Sequence, residues 1–128
     1  MADAFGVPNT IPVGPLGIIA LPGCEELANK INNYLTSWRE ERESEHKTTI
    51  AFYGYQRDTY IIDTSFNRFG SGEGKCVIHE TVRGYDIYIL CDCFNHGLTY
   101  EMYGEKYPFS PDEHFANLKR AISAIEGK

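Results

Sequence analysis

The sequence predicts an α/β fold, and three observations support this prediction. Residues 17–21 form an uninterrupted apolar run between Pro and Gly residues, which is typical of a strand buried on both faces. Apolar residues at helical spacing follow this run directly and return at the end of the chain. A β-rich middle separates the two helical segments. This order favours an α/β sandwich in which at least part of the sheet is parallel.

The first helix is predicted to begin just after Pro22-Gly23, because this pair ends the apolar strand. Its buried face is expected to carry four apolar residues at helical spacing, which are Leu27, Ile31, Tyr34 and Leu35. The mixed acidic and basic residues at 39–47 are interpreted as a solvated helix end or a linker, since such mixtures are typical of exposed helix surfaces.

The middle of the chain is predicted to form β-structure in three parts. Residues 48–63 contain two β-rich runs around a polar centre and are interpreted as a hairpin. Residues 69–90 indicate a glycine-rich turn, an alternating strand, a second turn at Arg83-Gly84 and an apolar strand. Residues 94–109 are rich in turn formers and aromatic residues, so we expect a loop or a short hairpin there.

The C-terminal helix has the clearest signals in the chain. Ser110 is predicted to be its N-cap, with Pro111 at the first helical position and Glu113 as the acid of a capping box. Gly127 is predicted to end the helix. Its buried face is expected to carry Phe115, Leu118, Ile122 and Ile125.

The composition indicates one globular domain at residues 16–128, after an irregular lead-in at residues 1–15 that is rich in Pro, Gly and small residues. The net charge of -6 disfavours general binding to nucleic acid, which requires a basic surface. We see neither a secretory signal nor an apolar stretch long enough to cross a membrane, so we expect a cytoplasmic protein. The 4 cysteines are then interpreted as reduced thiols.

The glycines at residues 70–74 suggest a phosphate-binding loop at first sight. A Walker loop requires a glycine, four further residues and then Gly-Lys-Ser/Thr. The pattern fails because Phe69 stands where the first glycine is required and Cys76 stands where the hydroxyl is required. Considered alone, these glycines are interpreted as a turn.

The cysteines and histidines offer a second candidate site. Cys91 and Cys93, with His96 close behind, could bind zinc, although a further ligand is not evident. Alternation along a strand would place both thiols on one face, where they could equally pack as small apolar side chains. His79 stands beside Glu80 on an alternating strand, and we expect these two side chains to form a local pair.

The third candidate site is the segment that contains Thr81, Arg83 and Gly84. A hydroxyl and a guanidinium two positions apart on an extended turn can converge on one anion. The planar fork of arginine suits phosphate oxygens, and glycine allows the backbone to turn tightly. An ordinary charged turn remains the alternative.

Several segments resemble one enzyme family, the ribose-phosphate pyrophosphokinases. The sequence HETVRGYDIYIL is similar to the family's Glu-Ser-Val-Arg-Gly-x-Asp-Val segment, and GCEELANKI resembles its Glu-Leu-Ala helix. Residues 69–73, FGSGE, stand where the family has Phe-Pro-Asp-Gly-Glu. HFANLKRAISAI resembles the helix that ends in Asp-Ala-Leu-Lys-Arg-Ala. The likeness covers residues 16–128, with expansions at 36–66 and 94–109 that indicate a divergent branch.

The resemblance implies both a fold and binding residues. The fold would be the three-layer sandwich of the type I phosphoribosyltransferase-like N-terminal domain, with a mixed, mostly parallel sheet and an added β-hairpin. Phe69, Ser71 and Glu73 would contact the adenine of ATP across a subunit interface. Thr81 and Arg83 would bind phosphate or ADP at a regulatory site between subunits. The resemblance therefore also implies a homo-oligomer.

The resemblance does not supply catalytic residues or metal ligands for this chain. The family's nucleotide segment, metal-binding histidine, catalytic loop and ribose-phosphate loop would all lie beyond residue 128, so we expect a part of a longer two-domain protein. That protein would convert ATP and ribose 5-phosphate to phosphoribosyl pyrophosphate and AMP with Mg²⁺. This chain alone is expected to be inactive and to bind no cofactor. The alternative is a non-catalytic regulatory or scaffold homologue, which the replacement of Pro by Gly70 and of Asp by Ser71 favours slightly.

Overall fold

A computed structural model of the protein describes residues 14–44 and 57–128. Eight elements lie in these segments, and their order is β1 (Leu16–Ala20), α1 (Glu25–Ser44), β2 (Thr64–Arg68), β3 (Gly74–Ile78), β4 (Asp86–Leu90), β5 (Thr99–Met102), β6 (Glu105–Pro108) and α2 (Pro111–Glu126). The predicted lead-in lies outside the described residues up to residue 13.

Strand β1 is the centre of the parallel part of the fold, which confirms the predicted buried strand. It pairs in parallel with β4, from Leu16 opposite Asp86 to Ala20 opposite Leu90. On its other side, Ile18 forms a parallel bridge with Ile61, and the carbonyl of Ile18 accepts a hydrogen bond from the amide of Ile62 at 2.8 Å. Of the hairpin predicted at 48–63, the first strand lies outside the described residues.

Two hydrophobic clusters lie on opposite faces of β1, because successive side chains of a strand alternate between its faces. Leu16 and Ile18 belong to one cluster, which α1 covers through the buried Ala28. Ile19 belongs to the other cluster, where it packs with Ile78 and with the last turn of α2. The two helices therefore cover different faces of the same strand.

The buried face of α1 contains two of the four predicted residues. Leu27 and Tyr34 are exposed, so their predicted burial is wrong. Ala28 is buried instead, and Ile31 and Leu35 pack beside it against β1. Both sets have helical spacing, and the small side chain of Ala28 allows the helix to approach the strand closely, which apolar spacing alone does not reveal.

Both ends of α2 are formed as predicted. The Ser110 hydroxyl accepts a hydrogen bond from the Glu113 amide at 3.2 Å, and Pro111 occupies the first turn. Gly127 is the C-cap, and its amide donates to the carbonyl of Ala124 at 3.2 Å. These contacts confirm the N-cap, the first-turn proline and the stop signal.

The predicted buried face of α2 is wrong in part. Phe115 and Ile122 are exposed, whereas His114 and Asn117 are buried. His114 Nε2–H donates to the carbonyl oxygen of Asn95 at 2.9 Å, and Asn117 accepts a hydrogen bond from an arginine of the same helix. Polar side chains can replace apolar ones in a core when they are paired in this way, and the apolar pattern does not contain that information.

The described residues form a mixed α/β structure, as predicted, but its pairing is less parallel than expected. Parallel pairs are limited to β1 and its two neighbours, whereas β2 pairs with β3, and β5 with β6, in antiparallel hairpins. The second hairpin accounts for the expansion at 94–109 and confirms the hairpin expected there. In the two described segments, no helix is both long and apolar enough to cross a bilayer.

Candidate functional site

Residues 69–73 form the loop that joins β2 to β3, and the backbone gives this loop a defined shape. The amide of Phe69 donates to the carbonyl of Glu73, and the amide of Gly72 donates to the carbonyl of Phe69, both at 2.8 Å. Gly72 has a φ of 92°, a conformation that side chains rarely adopt. The glycine-rich turn predicted from the sequence is therefore a closed hairpin loop.

The loop brings together the three residues predicted to contact a nucleotide. Phe69, Ser71 and Glu73 are all exposed. The Phe69 ring is 49% exposed, and the Lys75 ammonium lies 5.5 Å from its centroid. An exposed aromatic face beside a cation can stack on a heterocyclic base.

Arg68, the last residue of β2, contacts this loop. Sequence reasoning did not identify it. Its guanidinium lies 3.5 Å from the Tyr100 ring centroid and donates to the carbonyl of Gly72 at 3.0 Å. It also forms an ion pair with Glu113, which is the carboxylate predicted to close the capping box of α2. Arg68 thus connects the loop, the second hairpin and α2. An arginine directly before Phe69 was the available signal, but its partners are distant in sequence.

The hairpin of β5 and β6 contacts the tip of the same loop. The hydroxyl of Tyr103, at the turn of this hairpin, donates to the carbonyl of Gly70 at 2.6 Å. The hairpin itself is supported by the Tyr100 ring, which stacks on Tyr107 at 5.6 Å and meets the edge of Phe109 at 5.5 Å. The expanded segment at residues 94–109 therefore contacts the loop at residues 69–73, which resembles the Phe-Pro-Asp-Gly-Glu loop.

The second predicted site is the turn at residues 81–84. Val82 is buried in the cluster that contains Ile19, and it anchors this segment in the core. The amide of Tyr85 donates to the carbonyl of Val82 at 3.0 Å. Gly84 has a φ of 79°, which confirms that glycine allows a tight turn here.

Thr81 and Arg83 flank the buried Val82, and both side chains are exposed. The Thr81 hydroxyl donates to the carbonyl of Lys128 at 3.1 Å, so its proton is already committed to a protein group. Arg83 has no hydrogen bond or ion pair with any residue in the described segments.

The two candidate sites lie at opposite ends of β3. The loop 69–73 precedes this strand and the turn 81–84 follows it. A strand of this length spans about 17 Å, since each residue advances the chain by about 3.3 Å. The structure thus brings Phe69, Ser71 and Glu73 together, and it places Thr81 and Arg83 in a separate site.

The local pair expected between His79 and Glu80 is not formed. His79 Nε2 lies 3.0 Å from the hydroxyl of Ser65 on the neighbouring strand. Glu80 lies 3.6 Å from the guanidinium of Arg57, which also lies 5.0 Å from the Tyr85 ring centroid. Adjacent residues on extended backbone point in opposite directions, so each finds a partner on a different side.

The thiols of Cys91 and Cys93 meet at 3.5 Å just after β4. Burial, together with the hydrogen bond between the two thiols, raises the pKa of the Cys91 thiol to about 12, so this thiol stays protonated near neutral pH. Burial also raises the pKa of the Cys24 thiol. In residues 14–44 and 57–128, no three His, Cys, Asp or Glu side chains are grouped so that they could hold a metal ion. The zinc hypothesis for Cys91 and Cys93 therefore has no third ligand there.

A cleft of about 1000 Å³ opens between the carboxyl end of β1, strand β2 and the second hairpin. Its walls include apolar and aromatic side chains together with polar groups, among them Asp63, Asn67, Phe69, Glu101 and Tyr103. Phe69 and Tyr103 thus line one cavity, although they come from different hairpins. Clefts of this size accommodate molecules as large as a nucleoside.

The described residues form a mixed α/β domain in which the predicted binding residues lie on two exposed loops. The family model for the N-terminal domain of ribose phosphate pyrophosphokinase matches residues 16–127. The chain belongs to this family, which confirms the resemblance found in its segments. Comparisons with curated proteins and with solved structures gave no match.

Proposed function

We propose that this chain is the nucleotide- and effector-binding N-terminal domain of a ribose-phosphate diphosphokinase. The complete enzyme would transfer the pyrophosphoryl group of ATP to ribose 5-phosphate and release AMP. This domain would contact adenine through Phe69, Ser71 and Glu73, and would bind regulatory phosphate or ADP through Thr81 and Arg83. It would also supply interfaces between identical subunits.

The closed loop at 69–73 is the observation that carries this proposal. Its backbone hydrogen bonds and the support from Arg68 fix the loop before any ligand arrives, while the Phe69 ring remains half exposed. A preorganised exposed ring costs little further ordering when a base stacks on it. An aromatic side chain held in this way still presents about half of its surface to a ligand.

The regulatory site is proposed from Arg83. Its guanidinium is exposed and has no partner in the described segments, whereas the residue before it is buried in the core. An arginine on a fixed turn can present two parallel N–H donors to a phosphate group. Thr81 would accept or share a hydrogen bond there, although its proton already points to Lys128.

The proposed homo-oligomer is supported by the outer face of α1. Leu27, Tyr34 and Trp38 are exposed on this helix, and the rings of Tyr34 and Trp38 lie 6.1 Å apart. Exposed apolar patches of this kind are typical of contact surfaces between proteins. We further propose that the complete domain is the three-layer sandwich of the family, since α1 and α2 cover opposite faces of β1.

The chemistry assigned to this chain is binding alone. Phosphoryl transfer needs a magnesium ion and positioned cations around the phosphates. The described segments hold no group of three possible metal ligands, so they do not fit a magnesium site formed by protein groups alone. We therefore assign no reaction step to these residues, and we propose that the catalytic groups and the cytoplasmic reaction belong to the complete enzyme.

The proposal is tested by titrating the complete enzyme with ATP in a calorimeter, with light scattering to follow its assembly, because this chain alone is expected to bind no cofactor. Phe69→Ala should weaken ATP binding about tenfold, because stacking of a base on an aromatic ring contributes about 1–3 kcal/mol. Phe115→Ala is the matched control, since Phe115 is 51% exposed and lies 5.0 Å from a lysine ammonium, as Phe69 lies beside Lys75. Equal affinities for the wild type and Phe69→Ala would overturn the adenine contact.

The second candidate function is a regulatory or scaffold homologue that has lost synthesis. The loop favours this function at two positions, because Gly70 and Ser71 replace the proline and aspartate of the family pattern. The same titration separates the two candidates. A complete protein that assembles but does not bind ATP would support the scaffold, whereas ATP binding that depends on Phe69 would support the synthase.

A further inference from the structure

The hairpin of β5 and β6 has an unusual residue at its turn. Tyr103 and Gly104 both have a positive φ, at 52° and 81°, as in the type I′ turns that join two-residue hairpins. Glycine, asparagine and aspartate are favoured at such positions, and a bulky side chain there is strained. Tyr103 is the one non-glycine residue with positive φ in residues 14–44 and 57–128. A tyrosine in this conformation suggests a role other than forming the turn.

The side chain of Tyr103 spans the gap between the two hairpins. Its hydroxyl donates to the carbonyl of Gly70 at 2.6 Å, in the middle of the loop 69–73. The neighbouring Met102 also reaches this loop, since its sulfur would lie 3.8 Å from a Cβ atom at Gly72. The second hairpin therefore restrains the loop at its tip, while Arg68 restrains it at its base.

The ring of Tyr103 remains free although its hydroxyl is bound. The residue is 84% exposed, and it lines the same cleft of about 1000 Å³ as Phe69. If Tyr103 served only to hold the loop, burial of its ring would add to the stability of the fold. The two exposed rings instead present aromatic surface to one cavity, whose walls also hold amide and carboxylate groups that can bond the edge of a base.

We propose that Tyr103 is a positioning residue for the loop 69–73 and a second aromatic surface for the base that Phe69 contacts. The second hairpin thereby becomes part of the nucleotide site. The identity of the ligand rests on the proposed function, whereas the restraint of the loop does not. Two measurements test these two parts separately.

The first measurement is amide hydrogen exchange of the loop in the full chain without nucleotide. Tyr103→Phe removes the hydroxyl and keeps the ring, so exchange at residues 69–73 should accelerate about fivefold, as expected for the loss of one hydrogen bond. Tyr107→Phe is the matched control, because its hydroxyl bonds only Glu105 in the same hairpin, at 3.0 Å. Unchanged exchange in Tyr103→Phe would overturn the positioning role, as would an equal acceleration in Tyr107→Phe.

The second measurement is an ATP titration of the complete enzyme that carries Tyr103→Asn or Tyr103→Phe. Asparagine is favoured at the first position of this turn, so Tyr103→Asn keeps the hairpin and removes only the ring and its hydroxyl. It should weaken ATP binding about tenfold. Tyr103→Phe keeps the ring and should therefore weaken ATP binding by less than half as much on a logarithmic scale. Wild-type affinity in Tyr103→Asn would overturn the base-contact role.

A complete wild-type enzyme that does not bind ATP would overturn the proposed function together with the base-contact role. The exchange measurement would still decide the positioning role in that case, because it requires no ligand. Accelerated exchange in Tyr103→Phe combined with absent ATP binding would leave a loop that is restrained by the second hairpin for another purpose. The failure of the further inference is thus distinguishable from the failure of the proposed function.

Discussion

Two arginines at opposite ends of β3 have opposite surroundings. Arg68, just before the loop 69–73, stacks on Tyr100, bonds a loop carbonyl and pairs with Glu113. Arg83, within the turn 81–84, is exposed and has no partner in the described segments. One guanidinium is used entirely within the chain, and the other is left for solvent or for a ligand.

The difference between the two arginines suggests how each loop gains its shape. The loop 69–73 has no buried apolar anchor, so its order comes from polar and aromatic contacts with distant parts of the chain. The turn 81–84 is anchored by Val82, which is buried in the core, and therefore needs no help from its arginine. An arginine is available for binding only where another residue already performs the structural task.

The largest effect expected from this comparison is on stability. Arg68→Met keeps much of the apolar stem but loses the ion pair, the hydrogen bond and the charge over the Tyr100 ring. The free energy of unfolding should fall by about 2 kcal/mol, because these contacts are largely shielded from water. Urea denaturation measures this change through the shift of the midpoint.

Arg83→Met is the matched control for that measurement. It makes the same chemical change at an exposed side chain without internal partners, so the free energy of unfolding should change by less than about 0.5 kcal/mol. Equal losses in the two variants would break the comparison, since they would mean that Arg83 also has a structural role. A stable Arg68→Met protein would show that the loop does not depend on its arginine.

The second prediction reverses the roles of the two arginines. Arg83→Met should weaken ADP binding about tenfold, because it removes charge-assisted hydrogen bonds to a phosphate group. Arg83→Lys should restore only part of the affinity, since an ammonium lacks the planar fork. Calorimetric titration with ADP and with inorganic phosphate measures both. Unchanged affinity in Arg83→Met would remove this residue from the regulatory site.

The loops themselves were predictable from sequence because they depend on local backbone chemistry. Gly72 and Gly84 adopt positive φ where the glycine pattern placed the turns. The caps of α2 were predictable for the same reason, since Ser110 and Pro111 act within one turn of the helix. Signals of this kind involve neighbours in the chain. The predicted acid of the capping box is the exception, because the Glu113 carboxylate pairs with the distant Arg68 instead.

The contacts between loops were not predictable, because they join residues that are distant in sequence. Arg68 and Tyr103 carry no pattern that names their partners, Glu113 and Gly70. The burial of His114 was missed for a related reason, because its hydrogen bond to a loop carbonyl offsets the cost of burying a polar ring. Apolar periodicity measures hydrophobicity alone, and it therefore missed the small and polar residues that are buried in the two helices, Ala28, His114 and Asn117.

The smallest expected effect concerns Cys91, which directly follows β4 in the segment that leads to the second hairpin. In the folded chain, burial and the contact with Cys93 raise the pKa of the Cys91 thiol from 9.0 to about 12. Well below pH 9.0 the thiol is protonated in both the folded and the unfolded chain, so it adds no pH dependence there. Between these two values the unfolded chain releases a proton that the folded chain keeps, so stability falls as pH rises.

Cys91→Ala isolates this contribution from the other groups that titrate in alkali. The unfolding free energy of the variant should fall less steeply than that of the wild type between about pH 8 and about pH 11, as measured by urea denaturation at each pH. Cys93→Ala should show an intermediate slope, because it removes the hydrogen bond but leaves most of the burial. Parallel slopes for the wild type and Cys91→Ala would mean that water reaches the thiol freely.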